Sequence, residues 1–585
     1  MTWGLLWIPL LPLTGFILLC LSDSKRLPVF CALLAPLPAL IYSLGSPLQL
    51  DLPQLLLGSL WHTTPLNQTF LLFTALLWIF SALYAWGYFK GDETPTRHTQ
   101  RFWRLWLLTL TGNLGLLISA DLVSFYTFFA LMTFAAYGLV IHSQSVQAYR
   151  AGRAYLKMAI LGEMLILTGF WLASQELSGQ VPRLEELGAL LVESPHQNLI
   201  LFCWLLGFGV KAGLAGMHLW LPLAHPVAPT PASAVLSGAM IKAGLFAWLN
   251  LLPLGLMTSI PWGHLLLVLA ALAIFGAGLI GSLQSAPKAI LAYSSISQMG
   301  VMLLAIAAIF YVPEASETLI PLIAFYALHH GLVKGALFLS VNFNPIGSLF
   351  TRVLLAISLM LPPLALIGLV GGGIAAKLGL KEGLGLFPLP SLFITLVSFS
   401  AVATSLLMSR FLWQLQRHAK EASSVTQHPS LGLAWLGLML VALLLPTYLS
   451  IDLALPGLLN TPSAYLSLIW LPLFSLLLAY PLLRRNLPSL PAGDLWVLGE
   501  KMVEKLGEKL NAKPDTEQNK PLGKTPERLT ADPAANVRAL PDSDDSGRAA
   551  FNTGPRLWER WGRTQAVALF SLIWLLLFLG LGLAL

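Results

Sequence analysis

The sequence predicts an all-α polytopic membrane protein with about sixteen transmembrane helices. Three observations predict it. Of 585 residues, 56% are hydrophobic and only 10% charged, against about 25% charged in a soluble domain. Apolar stretches of about 20 residues, enough to cross a ~30 Å hydrocarbon core, recur along the chain. The loops between them alternate in charge, as orientation in a membrane requires.

The spans read from hydropathy are 3–21, 27–45, 69–89, 104–119, 122–142, 155–174, 199–221, 229–254, 263–283, 289–310, 318–341, 352–376, 389–411, 431–448, 464–483 and 564–585. The first lacks the basic leader and small-residue cleavage pattern of a signal peptide, so it reads as a span. Lys25 and Arg26 follow the first span, Arg97 and Arg101 the third, Arg150 and Arg153 the fifth, and Lys288 the ninth. Arg352, Arg417, Lys420, Arg484 and Arg485 continue the series. The alternate loops hold Asp51, Glu185, Glu186, Glu193, Glu314, Glu317 and Asp452 instead. A miscounted helix would break this phase. The positive-inside rule then puts both termini outside and the basic loops in the cytoplasm of a bacterial-type inner (plasma) membrane.

Between the last two spans lies the one long polar region. Leu498, Met502, Val503, Leu506 and Leu510 have helical spacing, which predicts an amphipathic surface helix. From Lys513 to Asn552 the chain is polar and carries Pro514, Pro521, Pro526, Pro533 and Pro541, which predicts a disordered linker. Trp558 and Trp561 among arginines form an interfacial collar before the last span.

Composition also excludes functions. Cys20, Cys31 and Cys203 are scattered in apolar spans, with no metal spacing and no disulfide framework. No CxxC and no Gly-rich phosphate loop is present, so no cofactor is expected and no redox site lies in this chain. The net charge of +7 is dispersed among short loops and fits topology rather than nucleic-acid binding.

The informative residues are lysines deep in apolar stretches: Lys211, Lys242, Lys334 and Lys377. An ammonium at a bilayer centre costs about 2.5–3.5 kcal/mol on insertion scales. Together with Glu163, His329 and His330 they form a line of titratable groups, which is what proton passage needs. Each has a plainer alternative. Lys90, Lys157 and Lys288 lie near span ends and can snorkel. His218 and His329 can be hydrogen-bonded helix residues, Lys377 can be interfacial, His225 can brace a turn, and Asp121 can cap the fifth span. A Lys-x-Gly-Leu pattern recurs at Lys211, Lys242 and Lys377. Lys211 and Lys377 are five spans apart, an odd number, which fits an inverted repeat.

The most specific stretch runs from Gly207 to Phe246. In it Pro222, Pro226, Pro229 and Pro231 end one span and start the next through a short turn, with His225 inside it. The Trp220 to His225 turn, the Ala228 to Ala234 run, and Lys211 and Lys242 on either side resemble the antiporter-like subunit superfamily. Its members are the proton-pumping subunits of respiratory complex I, the matching subunits of membrane-bound hydrogenases of the formate hydrogenlyase type, and those of Mrp sodium/proton antiporters. The stretches from Leu291 to Gly300 and from His330 to Phe338 agree, and the likeness spans roughly residues 100–410.

The resemblance implies two inverted five-helix bundles, helices 4–8 and 9–13, with helices 7 and 12 broken. It divides the chain into residues 1–103, 104–255, 256–411, 412–484, 485–563 and 564–585: three leading helices, the two bundles, two further helices, the surface helix with its linker, and the last helix. Lys211 is then the central proton carrier of the first bundle and Lys334 that of the second. His330 relays between them, Lys377 serves the exit, and Lys242 joins the hydrophilic axis. One departure stands out. Ala130 occupies the position where the family's fifth helix usually carries a glutamate, seven residues before Tyr137. Either Glu163 supplies that carboxylate from the next helix or the first half-channel is altered.

Three readings follow. The chain translocates protons, or sodium against protons, beside redox, hydrogenase-like or antiporter partner subunits in a multisubunit complex. It is instead the membrane coupling subunit of an inorganic-carbon uptake complex, as in relatives that pair with a zinc protein. Or it is a structural subunit whose charges hold helices together.

Overall fold

Apolar runs without water to bind their backbone must satisfy it internally, which favours helices. The computed structural model describes residues 2–22, 24–90, 96–175, 183–343, 349–421, 428–452, 466, 469–477, 479, 490 and 493. These belong to one compact unit, Met1–Val497. The expected surface helix, linker and sixteenth span lie outside the described residues, as do nine of the twenty residues of the fifteenth span.

The elements are α1 (Trp7–Leu21), α2 (Leu27–Leu34), α3 (Leu37–Ser43), β1 (Gln49–Leu52), β2 (Ser59–His62), α4 (Pro65–Lys90), α5 (Thr96–Ile118), α6 (Leu122–Val140), α7 (Val146–Ser174) and α8 (Leu184–Glu193). Then come α9 (Gln197–Ala212), α10 (Leu221–Val227), α11 (Thr230–Val235), α12 (Lys242–Leu251), α13 (Ile260–Ala271), α14 (Ala277–Ser282), α15 (Pro287–Tyr311), α16 (Ser316–Leu339), α17 (Leu349–Ile367), α18 (Gly372–Gly385), α19 (Ser391–Glu421) and α20 (Pro429–Asp452). Eleven helical segments among the described residues are long and apolar enough to cross a membrane.

Three of these, 230–251, 287–311 and 313–342, are buried along their whole apolar windows. Helices apolar all round belong at the centre of a bundle. Around them α4 packs on α16 and α20, α7 on α9, α9 on α12, and α15 on α13 and α19. The outward faces of α7, α13 and α20 expose large apolar side chains, including Met164, Trp171, Val268 and Leu444.

The all-helical expectation misses one small element. β1 and β2 pair antiparallel, Gln49 opposite His62 and Leu52 opposite Ser59. Four-residue strands are too short to announce themselves by alternation. The hairpin is tied to the bundle by Asp121. Its carboxylate accepts from Leu60 N–H at 2.8 Å and from Ser124 N–H at 2.7 Å, the latter capping α6 as expected.

Candidate functional site

Two helices break where hydropathy alone reads continuous spans, the seventh and the twelfth, which the resemblance implies are broken. α9 stops at Ala212, and Gly213 follows at φ +78°. The Val210 carbonyl there accepts from the Trp220 indole N–H at 2.8 Å. Lys211, read as mid-span, therefore sits in the last turn of a helix, where carbonyl dipoles favour an ammonium. The second break separates α17 from α18 at Gly368 (φ +96°) and Gly371 (φ +57°). His329 reaches the Ala365 carbonyl beside it at 3.2 Å. A Cβ on Gly373 would fall 1.9 Å from that same oxygen, so the chain passes there only as glycine.

The proline-rich stretch is not the short exposed turn its sequence suggests. Pro222 lies in the first turn of the two-turn helix α10 and Pro231 at the start of α11, with Pro229 just before it. Pro222, Pro229, Pro231 and His225 are all buried. The His225 ring stacks on Phe338 at 4.5 Å. The Ser233 hydroxyl, not the imidazole, holds the turn, donating to the His225 carbonyl at 3.1 Å.

Around Lys211 the side chains form a small cavity with room for about one water. Phe129 and Thr133 of α6, Tyr155 and Glu163 of α7, Lys211 of α9, and Trp220 line it. The ammonium donates to Tyr155 Oη at 3.2 Å, and that hydroxyl donates to the Thr133 carbonyl at 2.7 Å. The same ammonium lies 5.3–5.9 Å from the rings of Tyr155, Phe129 and Trp220, close enough for cation–π attraction. Glu163 is 4% exposed, and neither carboxylate oxygen has a direct hydrogen-bond partner. Its strongest charged neighbour is Lys211, with the Tyr126 and Thr133 hydroxyls nearby. Ala130 does not line the cavity.

Lys242 follows a π-helical segment, Leu236–Met240. Such segments leave carbonyls off the α-helical ladder. Lys242 Nζ donates to one of them, Ser237 O, at 2.7 Å. The Ser237 hydroxyl lies 2.7 Å from that of Ser295, and Ser295 donates to Leu291 O at 3.0 Å. Lys334 Nζ donates to the same Leu291 oxygen at 2.9 Å. The two lysines are thus joined by serines and carbonyls. His330 lies between, with Lys242, Lys334 and His329 as its charged neighbours and no hydrogen bond at either ring nitrogen.

The line continues to Lys377, whose Nζ lies 3.5 Å from Thr404 Oγ1. Gln298 donates to that oxygen at 2.8 Å and accepts from Tyr326 at 2.6 Å. Lys377 is 2% exposed, which removes the interfacial alternative. Lys288, read as a snorkelling residue, turns inward to Ala228 O at 2.8 Å. Among the described residues, the buried carboxylates are Asp121 and Glu163 alone. Asp121 caps a helix, and among the described residues no carboxylate acts on Lys242, Lys334 or Lys377.

Glu163 and Lys211 are therefore brought together at one cavity, and Lys242, His330, Lys334, His329 and Lys377 along one line. Tyr155, Tyr326 and Thr404 are links that sequence reasoning missed, and Ser237, Ser295 and Gln298 lie in the stretches that carry the resemblance without having been given a role. They are common polar residues in spans, with no spacing signal of their own.

Residues 119–365 match the family described as NADH:quinone oxidoreductase/Mrp antiporter, TM. The fold resembles a chain of the Mrp complex from Dietzia sp. DQ12-45-1b, with a TM-score of 0.63 at 21% identity, over 80% of this chain and 99% of that one. Over residues 119–365 the chain is similar to membrane antiporter-like subunits. Hydrogenase-4 component B of Escherichia coli is 29% identical over 285 residues, 47% of this chain and 42% of that protein. Na(+)/H(+) antiporter subunit A1 of Staphylococcus haemolyticus is 32% identical over 270 residues, 44% of this chain and 32% of that protein. The chain spans less than half the length of these curated relatives. Within this chain, the matched segment encloses Glu163, Lys211, Lys242, His329, His330 and Lys334. Lys377 and Thr404 lie beyond it.

Proposed function

We propose that this antiporter-like subunit translocates protons, with sodium as a possible counter-ion, as part of a multisubunit membrane complex. The observation that carries the reading is the Glu163–Lys211 pair at a water-sized cavity. Neither group is neutralised by a direct ion pair, yet each feels the other electrostatically. A water in the cavity would pass a proton between carboxylate and amine, and Tyr155 holds the amine in place. Two charged lysines in low dielectric repel strongly. A proton on Lys334 therefore disfavours one on Lys242, and His330 between them can carry it onward. Thr404 and Gln298 extend the line beyond Lys377. The reading keeps the two inverted five-helix bundles, helices 4–8 and 9–13, with sixteen spans, outward termini and the domain limits given above. The two helix breaks, each beside a buried lysine, support it.

The driving reaction belongs to partner subunits, of the redox, hydrogenase or antiporter kind. The carbon-uptake reading rests on the loss of the fifth-helix glutamate, and the presence of Glu163 in the same cavity weighs against it.

The test is proton flux in vesicles carrying the native complex, with a pH indicator and assembly followed on a native gel. Lys211→Ala and Glu163→Gln should each assemble and slow flux by about tenfold or more. Normal flux in both assembled variants would remove the first half-channel from the pathway. Failed assembly of Lys211→Ala alone would favour the structural reading.

A further inference from the structure

Where α5 begins, α6 ends and α7 begins, two arginines and two histidines collect. His98 and Arg101 come from α5, His142 from the loop after α6, and Arg153 from α7. Arg101 Nη2 lies 3.5 Å from the His142 carbonyl oxygen. The His142 ring is boxed by Phe89 at 5.5 Å, Phe102 at 5.4 Å and His98 at 6.5 Å. Arg101 and Arg153 both act on Tyr137, and Tyr149 is a further neighbour of Arg101. None of the groups acting on Arg101, Tyr137 or His142 is a carboxylate among the described residues.

Two further observations point to an absent anion. Arg101 Nε and His142 Nδ1 are buried without a hydrogen-bond partner. A buried guanidinium N–H left unpaired is costly, and its natural partner is a carboxylate or phosphate oxygen. His98, in the first turn of α5, lies beside His142, and neither α5 nor α7 has an acidic residue in its first turn.

The surroundings choose between anions. From this cluster α7 runs on with an exposed apolar face carrying Ile160, Leu161, Met164 and Trp171. Val146, at the start of α7, is 81% exposed. A free anion would use only the polar end. A phospholipid would use both. We propose that the Arg101–His142–Arg153 cluster binds the phosphate of an anionic phospholipid whose acyl chains lie along the exposed face of α7. Arg101 takes the phosphate oxygens from the buried side and Arg153 from the exposed side. Tyr149 stands at headgroup level, where aromatic hydroxyls are commonly found.

The experiment is lipid retention by the native complex in nanodiscs of phosphatidylcholine with and without phosphatidylglycerol, read by mass spectrometry after detergent washing. Phosphatidylglycerol should be retained above its share of the bilayer. Arg153→Gln removes an exposed side chain and should lower that retention about fivefold. Arg101→Gln should lower it at least as much, and phosphatidylcholine should not change. If Arg101→Gln fails to fold, Arg153→Gln decides alone. Equal retention in wild type and Arg153→Gln would overturn the proposal. Displacement of the lipid by inorganic phosphate would overturn it too, by showing that a free anion suffices.

Discussion

Gly238 and Gly331 meet backbone to backbone: a Cβ on Gly331 would lie 2.7 Å from the Gly238 carbonyl oxygen, and one on Gly238 would lie 2.8 Å from the Gly331 oxygen. The crossing is reciprocal, and it puts the π-segment before Lys242 against the helix that carries His330 and Lys334. A second reciprocal crossing joins Gly162 of α7 to Gly207 of α9, where each Cβ would fall 3.0 Å from the opposite oxygen. Glu163 follows one of these glycines by one residue and Lys211 follows the other by four. Close backbone approach at small residues is how membrane helices pack without a hydrophobic force between them. Here the same approach sets the distance between titratable groups.

Gly331→Ala should therefore loosen the Lys242–His330–Lys334 group without removing any titratable atom. Overpacking of this kind costs about 1–3 kcal/mol. The check is thermal stability of the complex together with proton flux. Both should fall, whereas Gly432→Ala, where a Cβ meets nothing within 4 Å, should change neither.

The Glu163 assignment makes a compensating prediction. Phe129 and Thr133 of α6 line the Lys211 cavity, and Ala130, next to Phe129 on the same helix, does not. A glutamate at 130 would reach from the neighbouring helix toward the same ammonium. Ala130→Glu in a Glu163→Gln background should restore flux to within about tenfold of wild type. Ala130→Glu alone places a second carboxylate near the first and should slow flux. If the double variant is as slow as Glu163→Gln, the carboxylate position is not interchangeable and the compensation reading fails.

How much of this was legible beforehand follows from what each residue's signal is. Buried lysines are expensive and rare, so Lys211, Lys242, Lys334 and Lys377 stand out of an apolar background without any structure. Glycine and proline mark breaks but not their extent. By hydropathy the seventh span runs on to residue 221, and the resemblance implies only that it breaks somewhere; that its helix ends at Ala212 depends on left-handed Gly213 and the Trp220–Val210 hydrogen bond, which are tertiary facts. Lys288 reads as a snorkelling residue because distance from a span end says nothing of direction. Its bond to the Ala228 carbonyl depends on how the proline-rich segment folds over α15. Gln298 and Thr404 are 106 residues apart, and only packing of α15 on α19 makes them neighbours.

That pair yields its own prediction. Thr404→Val keeps the shape and removes the hydroxyl that Lys377 and Gln298 share. The unpaired Gln298 amide would cost about 1–3 kcal/mol. Flux should fall while assembly persists. Thr404→Ser, which keeps the oxygen, should retain most of it. Equal flux in the valine and serine variants would take Thr404 out of the pathway and leave it as a packing residue.

The last prediction concerns acid. His142 lies beyond the end of α6, and burial first, then the Arg101 and His98 charges, push its pKa down from 6.5 to about 4. The folded state thus resists protonation that the unfolded chain accepts. Stability from this group is present above pH 6.5 and is lost as pH falls toward 4. The loss is on the order of 2 kcal/mol, allowing for partial exposure. His142→Gln should flatten this part of the curve, measured as the difference in melting temperature between pH 7 and pH 4.5 for variant and wild type. Carboxylates elsewhere titrate in the same window, so the difference between the two proteins carries the result. A bound anion would offset the Arg101 and His98 charges and let His142 protonate at less cost. Phosphatidylglycerol should therefore shrink the acid loss in the wild type and leave His142→Gln unaffected. A wild-type curve indifferent to the lipid would separate His142 from the anion site.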